Sequence, residues 1–181
     1  LHSIFIDGQP HSEKLNSKSL PMLVCLVSGG HTNLYLVEHL PPAALNAKKL
    51  SESRDDAAGE AFDKCAKQLG LPYPGGIHLD RLAKGGNAKA YDFPRPLPGR
   101  ESLEFSFSGI KTAVGTKLRA EGYEPHSSGP PDFSKLPKDQ KLADYCASIQ
   151  EAIVGTLIRK IGIALRQTGA RSVAVVGGVS A

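Results

Sequence analysis

A long amphipathic pattern organises the C-terminal part of this chain. Between residues 139 and 167, apolar side chains recur at steps of three or four, which predicts one α-helix with a continuous buried face. The members of this face are Leu142, Cys146, Ile149, Ile153, Leu157, Ile161 and Leu165. Gly169 marks the predicted end of the helix, and the apolar run at 172–176 predicts a buried strand directly after it. A long helix followed by a strand, in a chain that also contains a strand hairpin, is typical of α/β proteins.

Three further segments have strand patterns. The apolar run at 22–27 predicts a buried strand, and residues 33–38 are predicted to be its hairpin partner. The alternation of Phe and Ser over 105–108 predicts a third, half-buried strand.

Helices are predicted between these strands. An apolar stripe at helical spacing predicts a helix over 55–69 that ends at Gly70; its members are Ala58, Phe62, Cys65 and Leu69. A short helix is predicted after the Pro-Gly-Gly turn at 74–76, and another from about Ile110. Residues 121–138 contain four prolines together with Ser and Gly, which predicts a surface loop.

Composition sets broad limits on this protein. The 181 residues carry a formal net charge of +4, and 40% of them are hydrophobic, which excludes a disordered chain and allows a nucleic-acid partner. Three well-separated cysteines fit a reducing cytosol better than a disulfide framework. No apolar run approaches the roughly 18 residues of a membrane span. The final strand and glycine pair stop in mid-motif and the chain starts without Met, so we expect a fragment.

The sequence has four glycine pairs, and three of them are candidate ligand turns, at 29–30, 75–76 and 177–178. Glycine lets backbone N–H groups approach an anion closely, because no Cβ intervenes. The pair in Ser28-Gly29-Gly30-His31-Thr32 also has hydroxyl groups beside it, yet its spacing alone favours an ordinary hairpin turn. Together the pairs indicate a nucleotide lying among several elements, although neither a Walker A loop nor a G-x-G-x-x-G motif is present.

Acidic residues add to this pattern. Asp56, Glu60 and Asp63 lie at helical spacing, and Asp63 follows the large apolar Phe62, so its carboxylate is a candidate for holding sugar hydroxyls. A solvated acidic helix start is the plain alternative. Asp80 follows the turn at 74–76, which is a candidate for contact with adenine or ribose. His31, alone in its loop, is either a polar turn residue or a ligand.

Four stretches resemble a known family. They are "LVSGGHT", "RDDAAGEAFDKCAKQLGLPYPGG", "LEFSFSGIKTA" and "VGGVSA", and all of them are similar to the TsaD family, also called Gcp or glycoprotease. The resemblance covers about 22–118 and 139–181. It implies an actin-like ATPase (ASKHA) fold, with this chain covering mainly the second lobe: 1–21 as the end of the first lobe or a linker, and 22–181 as the second-lobe core.

The resemblance also implies a reaction. The family transfers a threonylcarbamoyl group from threonylcarbamoyl-AMP to the exocyclic amine of the tRNA adenine next to the anticodon. It implies tRNA, a TsaB-type paralogue and a TsaE-type ATPase as partners, no membrane, a cytoplasmic location, and one divalent metal, iron or zinc. Two alternatives remain: a metal-dependent glycoprotein endopeptidase, which is the historical label of the family, and a non-catalytic nucleotide-binding scaffold.

Carried over residue by residue, the resemblance implies eight substrate-binding positions. They are Leu26, Val27, Ser28, Gly29, Gly30, Asp63, Gly76 and Asp80. It implies no metal ligand in this chain, because the family's ligands would fall just before Leu1 and beyond Ala181. We therefore expect the 181 residues alone to be inactive, and no residue is assigned as the general base.

Overall fold

The computed structural model describes residues 5–6, 9–10, 19–39, 46–99, 101–122 and 140–180. Most of the predicted loop at 121–138, residue 139 and most of the segment 1–21 lie outside these ranges. Within that first segment, β1 (Phe5–Ile6) and β2 (Gln9–Pro10) form a two-stranded antiparallel ladder.

A four-stranded mixed sheet is the centre of the fold. It contains β3 (Met22–Val27), β4 (Thr32–His39), β5 (Asn46–Glu52) and β6 (Ser172–Val176), in the order β5-β4-β3-β6. The first three strands form an antiparallel meander, whereas β6 runs parallel to β3. Because β3 and β6 are parallel, they end at the same edge of the sheet, and the turns that follow them are neighbours there.

Within the described ranges, four α-helices accompany the sheet. They are α1 (Ala58–Gln68), α2 (Gly75–Ala83), α3 (Ser108–Ala120) and α4 (Gln140–Thr168), followed by a 3-10 turn at Gly178–Ser180. Alternate residues of β3 point to opposite faces: Leu23 and Cys25 join the large core with the helices, whereas Met22 and Val24 belong to a small cluster on the other face. The helices therefore cover one face of the sheet.

Several sequence predictions are confirmed. The strands at 22–27 and 172–176 have the predicted bounds, and the hairpin partner is one residue longer at each end. The long helix occupies 140–168 rather than 139–167. Gly70 and Gly169 end their helices with φ values of 74° and 66°, in the left-handed region that glycine tolerates.

The predicted strand at 105–108 is wrong. Only Phe105 makes a bridge, to Ser53, and α3 already begins at Ser108. The predicted helix over 55–69 begins three residues late, at Ala58, because Asp55 turns towards α3 and caps that helix instead. Strand β5 was missed, since its sequence NAKKLSE has no clean apolar alternation.

Candidate functional site

The loop between β3 and β4 is a tight turn that docks on α1. The amide of Ser28 donates to the carbonyl oxygen of His31 at 2.8 Å, and the amide of His31 donates to Ser28 Oγ at 3.0 Å. On the helix side, the Gly59 amide donates to the Ser28 carbonyl oxygen at 3.2 Å, and the Ala58 amide donates to Oγ1 of the buried Thr32 at 2.8 Å. The loop is thus the hairpin turn that the sequence allowed, and it also caps the start of α1.

Gly29 and Gly30 lie at the exposed tip of this turn. A Cβ built on either residue would meet no described atom within 4 Å, and neither φ angle lies in the left-handed region. Neither packing against the described residues nor backbone conformation therefore requires glycine at these two positions. Bare, exposed main chain remains, which is what close approach of an anion to the amides needs.

The turn after β6 lies against the end of β3. Gly177 has a φ of 112°, and a Cβ on it would collide with the carbonyl oxygen of Val27. Gly178 is exposed, and a Cβ on it would meet no atom of the described residues within 4 Å. Two of the three glycine pairs therefore meet at the edge of the sheet where β3 and β6 end.

Asp63 connects the third glycine pair to α1. Its Oδ1 accepts the amides of Gly75, at 2.7 Å, and Gly76, at 3.3 Å, so that it caps the start of α2. A Cβ on Gly75 would collide with Ala66 Cβ, whereas Gly76 would make only an ordinary contact with Phe62 at 3.7 Å. Asp63 Oδ2 has no hydrogen-bond partner among the described residues. The carboxylate thus uses one oxygen for structure and has the other oxygen available.

Asp80 lies one helical turn after Gly76 on α2. Its Oδ1 accepts a long hydrogen bond of 3.4 Å from Gln150 Nε2, and its Oδ2 lies 3.4 Å from Lys84 Nζ. The side chain is 53% exposed. These contacts are weak, so the carboxylate stays accessible.

Leu26 and Val27 form the end of β3. Val27 is buried against the core, and its carbonyl oxygen faces Gly177. Leu26 is partly buried and pairs with Asn33 on one side and Val176 on the other.

Helix α1 connects two of the glycine turns. Its first residues bind Ser28, and Asp63 in its second turn binds the amides of Gly75 and Gly76.

The acidic residues at the start of α1 have partners within the protein. Lys64 Nζ bonds Asp56 Oδ1 at 2.5 Å and Glu60 Oε1 at 2.8 Å, and these contacts raise the pKa of Lys64. The hydrogen bond from Lys64 in turn lowers the pKa of Glu60. Asp56 and Glu60 therefore share a lysine, whereas Asp63 contacts α2.

Sequence reasoning placed Asp55 at the start of the predicted helix over 55–69 and missed its contacts with the start of α3. Its carboxylate accepts the hydroxyl groups of Ser106, at 2.5 Å, and Ser108, at 2.8 Å, and the amides of Phe107, at 2.8 Å, and Ser108, at 3.3 Å. Desolvation acts to raise the pKa of Asp55, but these hydrogen bonds together lower it below its ordinary value. Asp55 thus fixes the start of α3 beside the start of α1, over a sequence distance that no local pattern reveals.

The three cysteine thiols are buried and not reactive. Burial raises the pKa of Cys25, Cys65 and Cys146 to about 12, so the nucleophilic thiolate is scarce at neutral pH. In the described part of the chain, no group of three or more His, Cys, Asp or Glu side chains is arranged to hold a metal ion. No helix there is long and apolar enough to cross a bilayer.

Comparison with known proteins gives the class and the family. The mixed sheet, the helices on one face and the glycine turns at its edge belong to an α/β protein of the actin-like ATPase (ASKHA) class. The profile of the TsaD family, described as tRNA N6-adenosine threonylcarbamoyltransferase, matches residues 7–181, and the chain belongs to this family.

Three relatives carry the same description, tRNA N6-adenosine threonylcarbamoyltransferase. The protein of Geobacter sulfurreducens is 46% identical over 160 residues, that of Neisseria meningitidis serogroup A is 48% identical over 164, and that of Syntrophobacter fumaroxidans is 47% identical over 161. The matches cover 88–89% of this chain but 42–44% of each relative. The chain therefore spans about two fifths of the length of these relatives.

Proposed function

We propose that this chain is part of an enzyme that transfers a threonylcarbamoyl group from threonylcarbamoyl-AMP to the exocyclic amine of the tRNA adenine next to the anticodon. Family membership supports the reaction. The proposed position of the donor rests on Gly29 and Gly30, two exposed glycines that the described fold does not require. Packing does not require glycine on this turn, which is fixed against a helix. Close contact between a ligand and the main chain would require it, because a larger residue would keep the ligand away from the amides.

The donor is proposed to bind along α1. The amides of Gly29 and Gly30 would face its phosphate or carboxylate oxygens, and the end of β3, Leu26 and Val27 with Ser28, would form the wall beside them. Asp63, through its available oxygen, and Asp80 would accept ribose hydroxyls near Gly76. Asp63 is fixed through its Oδ1 and Ser28 through its contact with α1, so these two groups would be in position before the donor arrives.

The reaction is an acyl substitution. The amine nitrogen of the adenine forms a bond to the carbamoyl carbon, the bond from that carbon to the phosphate oxygen breaks, and AMP leaves while the amine loses a proton. Amide donors near the reacting centre would stabilise the oxyanion that develops on the carbonyl. Orientation of a weak nucleophile accounts for much of such an acceleration.

Other features of the whole protein are proposed from the family. They are a divalent metal, iron or zinc; the partners tRNA, a TsaB-type paralogue and a TsaE-type ATPase; a cytoplasmic location; and a division into the end of a first lobe at 1–21 and a second-lobe core at 22–181. The described residues do not fit a metal, because they bring no three suitable ligands together. No step of the reaction is therefore assigned to a metal on these residues.

Alanine substitution of the two open glycines tests the proposal. We expect Gly29→Ala and Gly30→Ala to weaken binding of a non-hydrolysable threonylcarbamoyl-AMP analogue by about tenfold or more, because a Cβ would separate the ligand from the amides. Isothermal titration calorimetry on the 181-residue chain measures this loss. Gly99→Ala is the matched control, since Gly99 is also exposed and, of the described residues, a Cβ there meets only Ser102, at 3.8 Å. Unchanged affinity in both loop variants would place the donor elsewhere.

A further inference from the structure

The outward side of α2 carries an unusual set of exposed side chains. Tyr73, just before the helix, is 85% exposed, and Ile77 is 69% exposed. Arg81, four residues further on, is also exposed. Ile77 and Arg81 are four residues apart within α2 and so lie on one side of it, while Leu79, on the opposite side, is fully buried. We call Tyr73, Ile77 and Arg81 the α2 stripe.

The stripe begins at the candidate donor site. Tyr73 stands two residues before Gly75 and three before Gly76, whose amides are fixed by Asp63 Oδ1. Asp80 lies beside Arg81 in the chain and pairs with Lys84, whereas Arg81 has no ion-pair partner among the described residues. The α2 stripe therefore combines an exposed aromatic ring close in the chain to the proposed donor site with an exposed apolar side chain and an exposed guanidinium further along α2.

The chemistry of the stripe favours nucleic acid over protein as its occupant. A standard protein interface buries roughly 800 Å² on each partner. Two exposed apolar side chains offer far less area than that. An exposed aromatic ring with a nearby cation is the combination that binds unpaired nucleotides, through base stacking and phosphate contact. The net charge of +4 points the same way.

We propose that the α2 stripe binds unpaired nucleotides of the tRNA substrate, with Tyr73 stacking on a base and Arg81 contacting a phosphate. This inference rests on the proposed function, because the adenine that accepts the acyl group must approach the donor beside Gly76. Nucleotides on either side of that adenine would then lie along α2. Tyr73 and Arg81 are thereby assigned to positioning the RNA, and neither residue takes part in the transfer itself.

RNA binding by four variants tests the inference. The probe is a fluorescently labelled anticodon stem-loop RNA with adenine next to the anticodon, and anisotropy gives its dissociation constant with the 181-residue chain. We expect Tyr73→Ala to weaken binding about 5- to 150-fold, the range for loss of one stacked base, and Tyr73→Phe to stay near wild type. Arg81→Ala should weaken binding and lower the salt dependence by about one phosphate contact. Ile158→Ala, which truncates a side chain 65% exposed on α4, is the matched control and should bind as wild type.

The outcomes separate this inference from the proposed function. Wild-type RNA affinity in Tyr73→Ala and Arg81→Ala, or no RNA binding by the unmodified chain, overturns the inference. Normal RNA binding in both variants with lost affinity for the TsaB-type paralogue also overturns it, in favour of a protein contact. Binding of the donor analogue is measured separately and without RNA. Loss of RNA binding in the stripe variants, combined with no effect of Gly29→Ala and Gly30→Ala on the donor, would leave the inference standing while the proposed donor site fails.

Discussion

At the scale of single residues, the glycines near the candidate site form two groups. In the first group, a Cβ would collide with described atoms; its members are Gly59, Gly75 and Gly177. In the second group, a Cβ has space and the backbone needs no left-handed conformation; its members are Gly29, Gly30, Gly76 and Gly178. The pairs at 75–76 and 177–178 each contain one glycine from the first group and one from the second. Packing explains the first group, and contact with a ligand is our explanation for the second.

Gly59 provides the stability test of this division. A Cβ on Gly59 would lie 2.6 Å from the carbonyl oxygen of Ser28, a backbone atom that moves only if the loop moves. We expect Gly59→Ala to lower the free energy of unfolding by about 1–3 kcal/mol, the usual cost of overpacking, and to displace the loop from α1. Urea unfolding measures the loss.

Gly30→Ala is the control for that experiment. With no described atom near its Cβ, its free energy of unfolding should stay within about 0.5 kcal/mol of wild type. Equal destabilisation by the two substitutions would contradict the division into two groups.

The sequence predicted that the glycine pairs contact a nucleotide, but it did not show which glycines are required by packing. That requirement depends on contacts such as Gly59 with Ser28, between residues that are far apart along the chain.

At the scale of elements, periodicity predicted those whose apolar face is long and regular. The strand at 22–27 and the helix of 140–168 follow from pattern alone, because each buries side chains at the spacing of its own geometry. The pattern failed where distant partners decide the structure. Ser106 and Ser108 alternate with phenylalanine as in a strand, yet Asp55 binds both hydroxyl groups and starts α3 there.

Lys160 shows the same limit inside the best-predicted helix. It is fully buried, and its Nζ donates to the carbonyl oxygens of Leu97, at 2.9 Å, and Ser102, at 2.7 Å. Burial lowers the pKa of Lys160. A lysine in an amphipathic pattern is normally taken for a solvated residue, and only its contacts with the distant carbonyl oxygens of Leu97 and Ser102 show that it is an internal one.

The cap on α3 is expected to depend on pH. Because hydrogen bonds hold the pKa of Asp55 below its ordinary value of about 4, its stabilising effect is complete above that value and is lost as the pH falls through the lower, folded-state pKa. We expect Asp55→Asn to be less stable than wild type by about 1 kcal/mol at pH 7, as for other side-chain caps. The difference should shrink at pH 2 to 3, as measured by urea unfolding at each pH.

Asp92→Asn is the control for the pH experiment. Asp92 is exposed and has no hydrogen bond to the described residues, so its replacement should change stability little at either pH. A pH-independent difference for Asp55→Asn would mean that the carboxylate charge does not contribute to the cap.

At the scale of the whole molecule, the fold and the function were predicted from different features of the sequence. The α/β class follows from periodicity, whereas the family follows from four long motifs, and the profile match over 7–181 confirms it. The structure adds a reason for the length of the motif at 54–76. Its acidic residues connect α1 to α3, to Lys64 and to α2, so most of it positions the turns around the candidate site.

These 181 residues span 42–44% of the length of the relatives, and the described residues assemble no metal site. We expect the chain alone to bind the donor analogue but to form no threonylcarbamoyladenosine in tRNA, which mass spectrometry of digested nucleosides detects. Joined to the remaining segments of the Geobacter sulfurreducens relative, which is 46% identical to it, the chain should transfer, and Gly30→Ala in that chimera should slow transfer by about tenfold or more at limiting donor concentration. Product from the 181 residues alone would contradict this, because the groups that complete the reaction would then have to lie among the residues present.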